Sequence, residues 1–136
     1  MNLGDARALL RAQPFSELVG ARLQEFGAGR ATIEVAIAER HLQQCGLVHG
    51  GVLAYLVDNA LAFAAGTVLG AHVVTSGYQV SLVDNVREGV LSATAVVAHT
   101  TGREAVCTIV VSGLSAAGTV STCAVAQGTA VRTDDT

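Results

Sequence analysis

The chain has no lysine and no tryptophan, a single proline and only 4% aromatic residues, and charged residues occupy 14% of its 136 positions. Each shortage excludes something. Without lysine, positive charge rests on arginine alone, and 8 arginines against 11 acidic residues leave a net charge of −3. Along the sequence the arginines are spread from Arg7 to Arg132 without clustering, so neither a nucleic-acid partner nor a polybasic membrane anchor is expected. Three cysteines, Cys45, Cys107 and Cys123, are an odd number without CxxC spacing. Reduced thiols and a cytoplasmic location fit that count. The N-terminus, MNLGDARALLRAQPF, carries Asp5 and Arg7 early and lacks the apolar run of a signal peptide. One segment, residues 52 to 69, approaches membrane-spanning length, but Asp58-Asn59 sits at its centre, so no membrane association is expected.

What the chain does have is apolar surface. Hydrophobic residues make up 51% and mean hydropathy is +0.49, a composition that a small sphere struggles to cover. An oligomer is therefore expected, built from one domain over residues 1–136.

Pattern gives the layout. Residues 3 to 12 show helical spacing and stop before Pro14, which predicts an N-terminal helical segment within 1–14. ARLQEF and GRATIEVAIA alternate around the turn-like GAG at 27 to 29, the signature of a hairpin. Val48 to Leu69 is a long Ala- and Leu-rich run, opened by Gly50-Gly51 and closed near Gly70; it reads as one helix, apolar nearly all round and therefore buried. Four strand-like runs follow, with turns at REG (87 to 89), TTGR (100 to 103) and SAAG (115 to 118), which predicts an antiparallel meander. The tail RTDDT, 132–136, reads as frayed. The expected fold is α+β, an antiparallel sheet wrapped around one long helix.

Within that helix stands the one charge of a 43-residue stretch: from His41 to Val83, Asp58 is the only residue with a formal charge. Its helical neighbours Ala54, Ala62 and Ala65 are small and leave space beside the carboxylate. Two readings stand open: Asp58 is a catalytic base or nucleophile, or it makes a solvent-facing or interface hydrogen bond. At the helix start, Gly50 and Gly51 permit close approach to backbone N–H groups that have no internal partner, as an oxyanion site needs. HGG is equally compatible with an ordinary helix entry, and His49 with a packed, hydrogen-bonded histidine. Gly50 and Asp58 are eight residues apart, about 12 Å along a helix, so the two cannot serve one carbonyl within one chain. If they cooperate, they do so across a two-fold axis.

GLVHGGVLAYLVDNA, residues 46 to 60, resembles the G-x-x-H-G-G-x-x-x-x-x-x-D pattern of the hotdog-fold thioesterase superfamily, and of its PaaI-like acyl-CoA thioesterases in particular. REG at 87 to 89 and AVVAHTTGREAVCTIVV at 95 to 111 extend the likeness, which covers about residues 15 to 128. The resemblance implies a hotdog fold and hydrolysis of an aryl- or medium- to long-chain acyl-CoA. It implies no metal and no cofactor, coenzyme A being part of the substrate. By it, Asp58 is the nucleophile or the base that activates water, and Gly50 N–H polarises the thioester carbonyl in the facing subunit. Gly51 lines the substrate and His49 shapes the helix start. A hydroxyl that orients water falls on Thr75 counting from REG, or on Ser76 counting from Asp58; Thr75 is preferred. Arg103, and less strongly Arg87, would meet the phosphates of coenzyme A. Two departures stand out: Gln43 occupies the place of an Asn six residues before the histidine, and Asp84-Asn85 replaces a common Arg-Pro pair. The implied catalytic unit is a homodimer, assembled into a homotetramer. Competing expectations are a non-catalytic acyl-CoA-binding module and an enoyl hydratase or dehydratase.

Overall fold

The computed structural model describes residues 1–133. Helix α1, Leu3–Arg11, begins in a capping box: the Asn2 side chain accepts from Asp5 N–H at 2.9 Å, and the Asp5 carboxylate accepts from Asn2 N–H at 3.2 Å. Pro14 does more than stop it. It sits at the first position of a second helix, α2 (Pro14–Val19), where its missing N–H costs nothing. Strands β1 (Ala21–Gly27) and β2 (Arg30–Ala36) form the expected hairpin. A 3-10 turn at Glu39–His41 leads into helix α3, Gly50–Leu69, and then β3 (Val73–Leu82), β4 (Val90–Thr100), β5 (Glu104–Leu114) and β6 (Val120–Arg132).

All pairings are antiparallel, in the order β1-β2-β4-β5-β6-β3. The expected four-strand meander is therefore corrected: β4, β5 and β6 form one, but β3 lies at the far edge beside β6, while β2 pairs with β4. The reason is α3, which carries the chain across the face of the sheet and delivers it to the opposite edge. The frayed tail is also corrected in part. Arg132 pairs with Val73, and Thr133 N–H donates to the His72 carbonyl at 2.8 Å; 134–136 lie outside the described residues.

The core sits between α3 and the concave side of the sheet. Leu53, Leu56, Val57, Ala60, Leu61 and Ala64 from the helix meet Leu23, Ile33, Val35, Leu91, Ile109 and Val111 from the strands. Each of the large side chains contributes about 1.5–3 kcal/mol by leaving water. The helix is not buried all round, however. Ala54, Tyr55, Asp58, Asn59 and Ala62 form an outward face that is only half-buried. By length and composition α3 could cross a bilayer, with a mean hydropathy of 1.7, but half of it is packed inside the domain. The result is the hotdog arrangement, a six-stranded sheet curled around one long helix.

Candidate active site

The start of α3 is held from several sides. Leu42 and Val48 form a β-bridge that closes the preceding loop, Val48 N–H donates to the Val86 carbonyl at 2.9 Å, and His49 N–H donates to the His41 carbonyl at 2.8 Å. His41 is buried; its Nδ1 accepts from Ala38 N–H at 2.8 Å, so Nε2 carries the proton of the neutral ring and donates to the Val19 carbonyl at 2.6 Å. The sequence reading passed over His41, which ties the end of α2 to the entry of α3.

His49 is the N-cap: its Nδ1 accepts from Gly51 N–H at 2.8 Å, and its carbonyl accepts from Val52 N–H at 2.9 Å. A side chain at 51 would defeat this cap, because a Cβ there would lie 2.9 Å from Nδ1. Gly50 N–H has no acceptor among the described residues. The cap thus occupies the neighbouring amide and leaves the Gly50 donor open, backed by the positive end of a 20-residue helix. Gln43 uses its Oε1 to accept from Cys45 N–H, which leaves its amide N–H₂ as a donor. Arg87 Nη1 donates to the Cys45 carbonyl at 3.1 Å and so braces this same loop.

Asp58 is half-buried on the outward face, and no hydrogen bond or ion pair reaches its carboxylate among the described residues. Beside it runs a network that the sequence reading missed. The Ser16 hydroxyl lies 2.6 Å from both Gln13 Oε1 and the Tyr55 hydroxyl, and Asn59 Nδ2 donates to the Tyr55 oxygen at 2.8 Å. This joins α2 to α3, and Phe15 adds an edge-on ring contact to Tyr55 at 5.5 Å between centroids. Burial pushes the Tyr55 phenol above its usual range, and the charge of Asp58 adds to that. Below the network lies a cavity of about 200 Å³, lined by Leu9, Gln13, Asn59, Ala62, Phe63 and Gly66 among others. Asp58 does not line it, but Asn59, the next residue, and Ala62, one turn on, both do.

The hydroxyl candidates differ in kind. Thr75 Oγ1 is buried and has no partner among the described residues, whereas Ser76 is exposed and donates to the Thr129 carbonyl at 3.0 Å. A bulge between Thr75 and Gly77 makes Ser76 the extra residue of β3, without a partner in the register with β6. Arg103, in the β4–β5 turn, donates from Nη2 to the Arg132 carbonyl at 3.2 Å.

Within one chain these residues form three stations along α3. Gln43, His49, Gly50, Gly51 and Arg87 gather at its start, where the end of β3 also lies: a Cβ on Gly50 would be 3.0 Å from Leu82 Cδ1. Asp58 is two turns further. Thr75, Ser76 and Arg103 lie toward the helix end, where Val73 packs with Ala65 and Leu69.

Comparison with known proteins bears on the fold and the family. No curated protein sequence matches the chain. Among solved structures it is similar to the conserved protein PA5202 from Pseudomonas aeruginosa, at 25% identity and a TM-score of 0.83, covering 92% of this chain and 98% of that one. The thioesterase HI1161 from Haemophilus influenzae is similar in fold at 20% identity and a TM-score of 0.85, over 98% of this chain and 92% of its own. The E. coli PaaI protein from the phenylacetic acid degradation operon shares 23% identity with a TM-score of 0.84, over 98% and 94% respectively. Residues 45–113, a span that begins before the helix cap and ends on β5, match the family model of the thioesterase superfamily, and the chain belongs to that family.

Proposed function

We propose that the protein hydrolyses an acyl-CoA thioester to the free acid and coenzyme A. The observation that carries this is the pair of unpartnered groups on α3: the Gly50 N–H left open by the His49 cap, and the Asp58 carboxylate. A thioester carbonyl oxygen resting on Gly50 N–H develops negative charge as its carbon is attacked, and a fixed donor there stabilises that charge. Asp58 either attacks the carbon itself or takes a proton from the water that does. The C–S bond then breaks, and coenzyme A leaves as the thiolate, which is protonated on release; where Asp58 itself attacked, water next hydrolyses the mixed anhydride so formed, which frees the acid and restores the carboxylate.

The 12 Å or so between the two groups requires a second copy, so the catalytic unit is a dimer with two equivalent half-sites. Strand β3 suits such pairing: it is a ten-residue edge strand with exposed Val74, Tyr78 and Leu82, the kind of edge that proteins cover. Association of two dimers into a tetramer would cover more of the apolar surface. Thr75 Oγ1, which has no partner among the described residues, is the hydroxyl that orients the water, and Arg103 is one candidate contact for a phosphate of coenzyme A. For the acyl group, a cavity of about 200 Å³ beside Asp58 favours an aryl ring or a medium chain; an apolar cavity of about 150 Å³ is enough to take up benzene. Three free thiols suit a reducing compartment such as the cytoplasm.

The test is a panel of aryl- and fatty acyl-CoAs assayed with the wild-type chain and with Asp58→Asn. Loss of turnover in the variant, with substrate still bound, is expected. Full turnover by the variant would remove Asp58 from the mechanism, and tight binding without turnover by the wild type would make the protein an acyl-CoA-binding module.

A further inference from the structure

Four of the eight arginines, spread through the sequence at 7, 11, 22 and 40, come together in the fold around one cavity of about 660 Å³ between α1, α2 and β1. Among the described residues Glu17 is the one acidic residue in that lining, so three net positive charges from them face the cavity in a chain whose total is −3. Asp58 and Gly50 do not line it.

The cavity is built rather than merely surrounded. Arg7 Nε donates to the Leu23 carbonyl at 2.8 Å, which fixes the stem and leaves the terminal nitrogens available. Arg40 reaches the Val19 carbonyl at 3.5 Å across Gly20, where a Cβ would lie 2.7 Å from its Nη2. Gly20 has φ +83°, so the backbone at the cap of α2 both requires glycine and makes the room that this guanidinium fills. Arg11 and Arg22 form no hydrogen bond or ion pair among the described residues; the one ion pair there is Arg30–Glu25, outside the cavity. Glu34, opposite Arg22 in the strand register, does not close on it. Leu10 and Leu23, each 2% exposed, supply an apolar floor, against which charge interactions are stronger than in open water.

We propose that this cavity is a binding site for a small organic phosphate with two or more phosphoryl charges. Guanidinium groups match phosphate oxygens two at a time, and the volume lies within the roughly 300–1,000 Å³ of small-molecule sites. A nucleic acid would call for a basic stripe on a basic domain, whereas here four of the eight arginines gather at one concavity in a chain of net charge −3. Such a phosphate has two sources: the nucleotide end of coenzyme A, a case that rests on the thioesterase reading, or a free nucleotide.

Calorimetric titration of the full chain with inorganic pyrophosphate, ADP and 3′-phosphoadenosine 5′-diphosphate, at about 20 mM and about 200 mM salt, tests this without any requirement for turnover. Pyrophosphate should bind, more weakly at the higher salt, and Arg11→Gln/Arg22→Gln should raise its dissociation constant at least about tenfold. Both side chains are exposed, so the double variant should melt with the wild type, and Arg30→Gln should bind as the wild type does. Absence of pyrophosphate binding at low salt, or equal affinity in the double variant, would overturn the proposal. A raised KM for acyl-CoA with kcat unchanged in the double variant assigns the cavity to the coenzyme nucleotide; an unchanged KM with ADP bound by the wild type assigns it to a free nucleotide.

Discussion

Gly66→Ala separates the geometry of α3 from the use made of the cavity beside it. Gly66 lies in the helix interior, and a Cβ added there would meet nothing within 4 Å. Alanine is favoured over glycine in such a position by about 0.8–1.0 kcal/mol, which for a domain of this size is about 3–5 °C in Tm. Gly66 also lines the cavity of about 200 Å³, and a methyl group there removes about one water volume, ~30 Å³. An acyl chain that fills the cavity would then be overpacked by one carbon, at about 1–3 kcal/mol. The longest acyl group accepted by the wild type should lose about tenfold or more in kcat/KM, and short ones should be unaffected. Circular-dichroism melts and a chain-length series read the two effects separately. A lower Tm would refute the open space at residue 66; a higher Tm with an unaltered chain-length profile would refute the assignment of the cavity to the acyl group.

Other changes probe the site and the core. His49→Ala removes the acceptor of Gly51 N–H and should cost about 0.5–2 kcal/mol in a denaturant melt, with kcat falling because Gly50 N–H is less well aimed; His49→Asn, itself a capping residue, should recover most of both. Thr75→Val deletes a buried hydroxyl that has no partner among the described residues, so stability should hold or rise by up to about 1 kcal/mol while turnover falls, and Ser76→Ala should leave turnover near wild type. Burial pushes the Cys107 thiol up from 9.0 to about 11, so the folded state keeps a proton there that the unfolded chain releases above pH 9. Stability should therefore be full below pH 9 and decline as pH rises toward 11, by about 2–3 kcal/mol in all, and Cys107→Ala should flatten that decline in melts recorded across the range.

Much of this was written locally in the chain. The helix around Asp58, its Gly50 start and Gly70 end, and the β1–β2 hairpin follow from periodicity and turn residues, which act over a few positions. Helix α2 was missed because Pro14 read as a stop, although proline at a first helical position is also a start. The edge placement of β3 was not legible, since alternation tells which face a residue takes and not which strand it pairs with. Arg7 and Arg11 share one helix, but Arg22 and Arg40 lie on other elements and join them only in the fold, Arg22 as α1 packs on β1. The Tyr55–Ser16–Asn59 network is of the same kind, joining residues up to 43 positions apart.

The late partner of β3 has a consequence for how the protein is made. Its neighbour β6 ends at Arg132, about fifty residues after Leu82, which at roughly 5–20 residues per second on the ribosome is a delay of roughly 3–10 s. Through that interval β3, with Thr75 on it, has no strand beside it on either edge. The chain is then at its most vulnerable to aggregation, and a nascent-chain chaperone that shields β3 should raise the yield of folded protein more than one that acts after release.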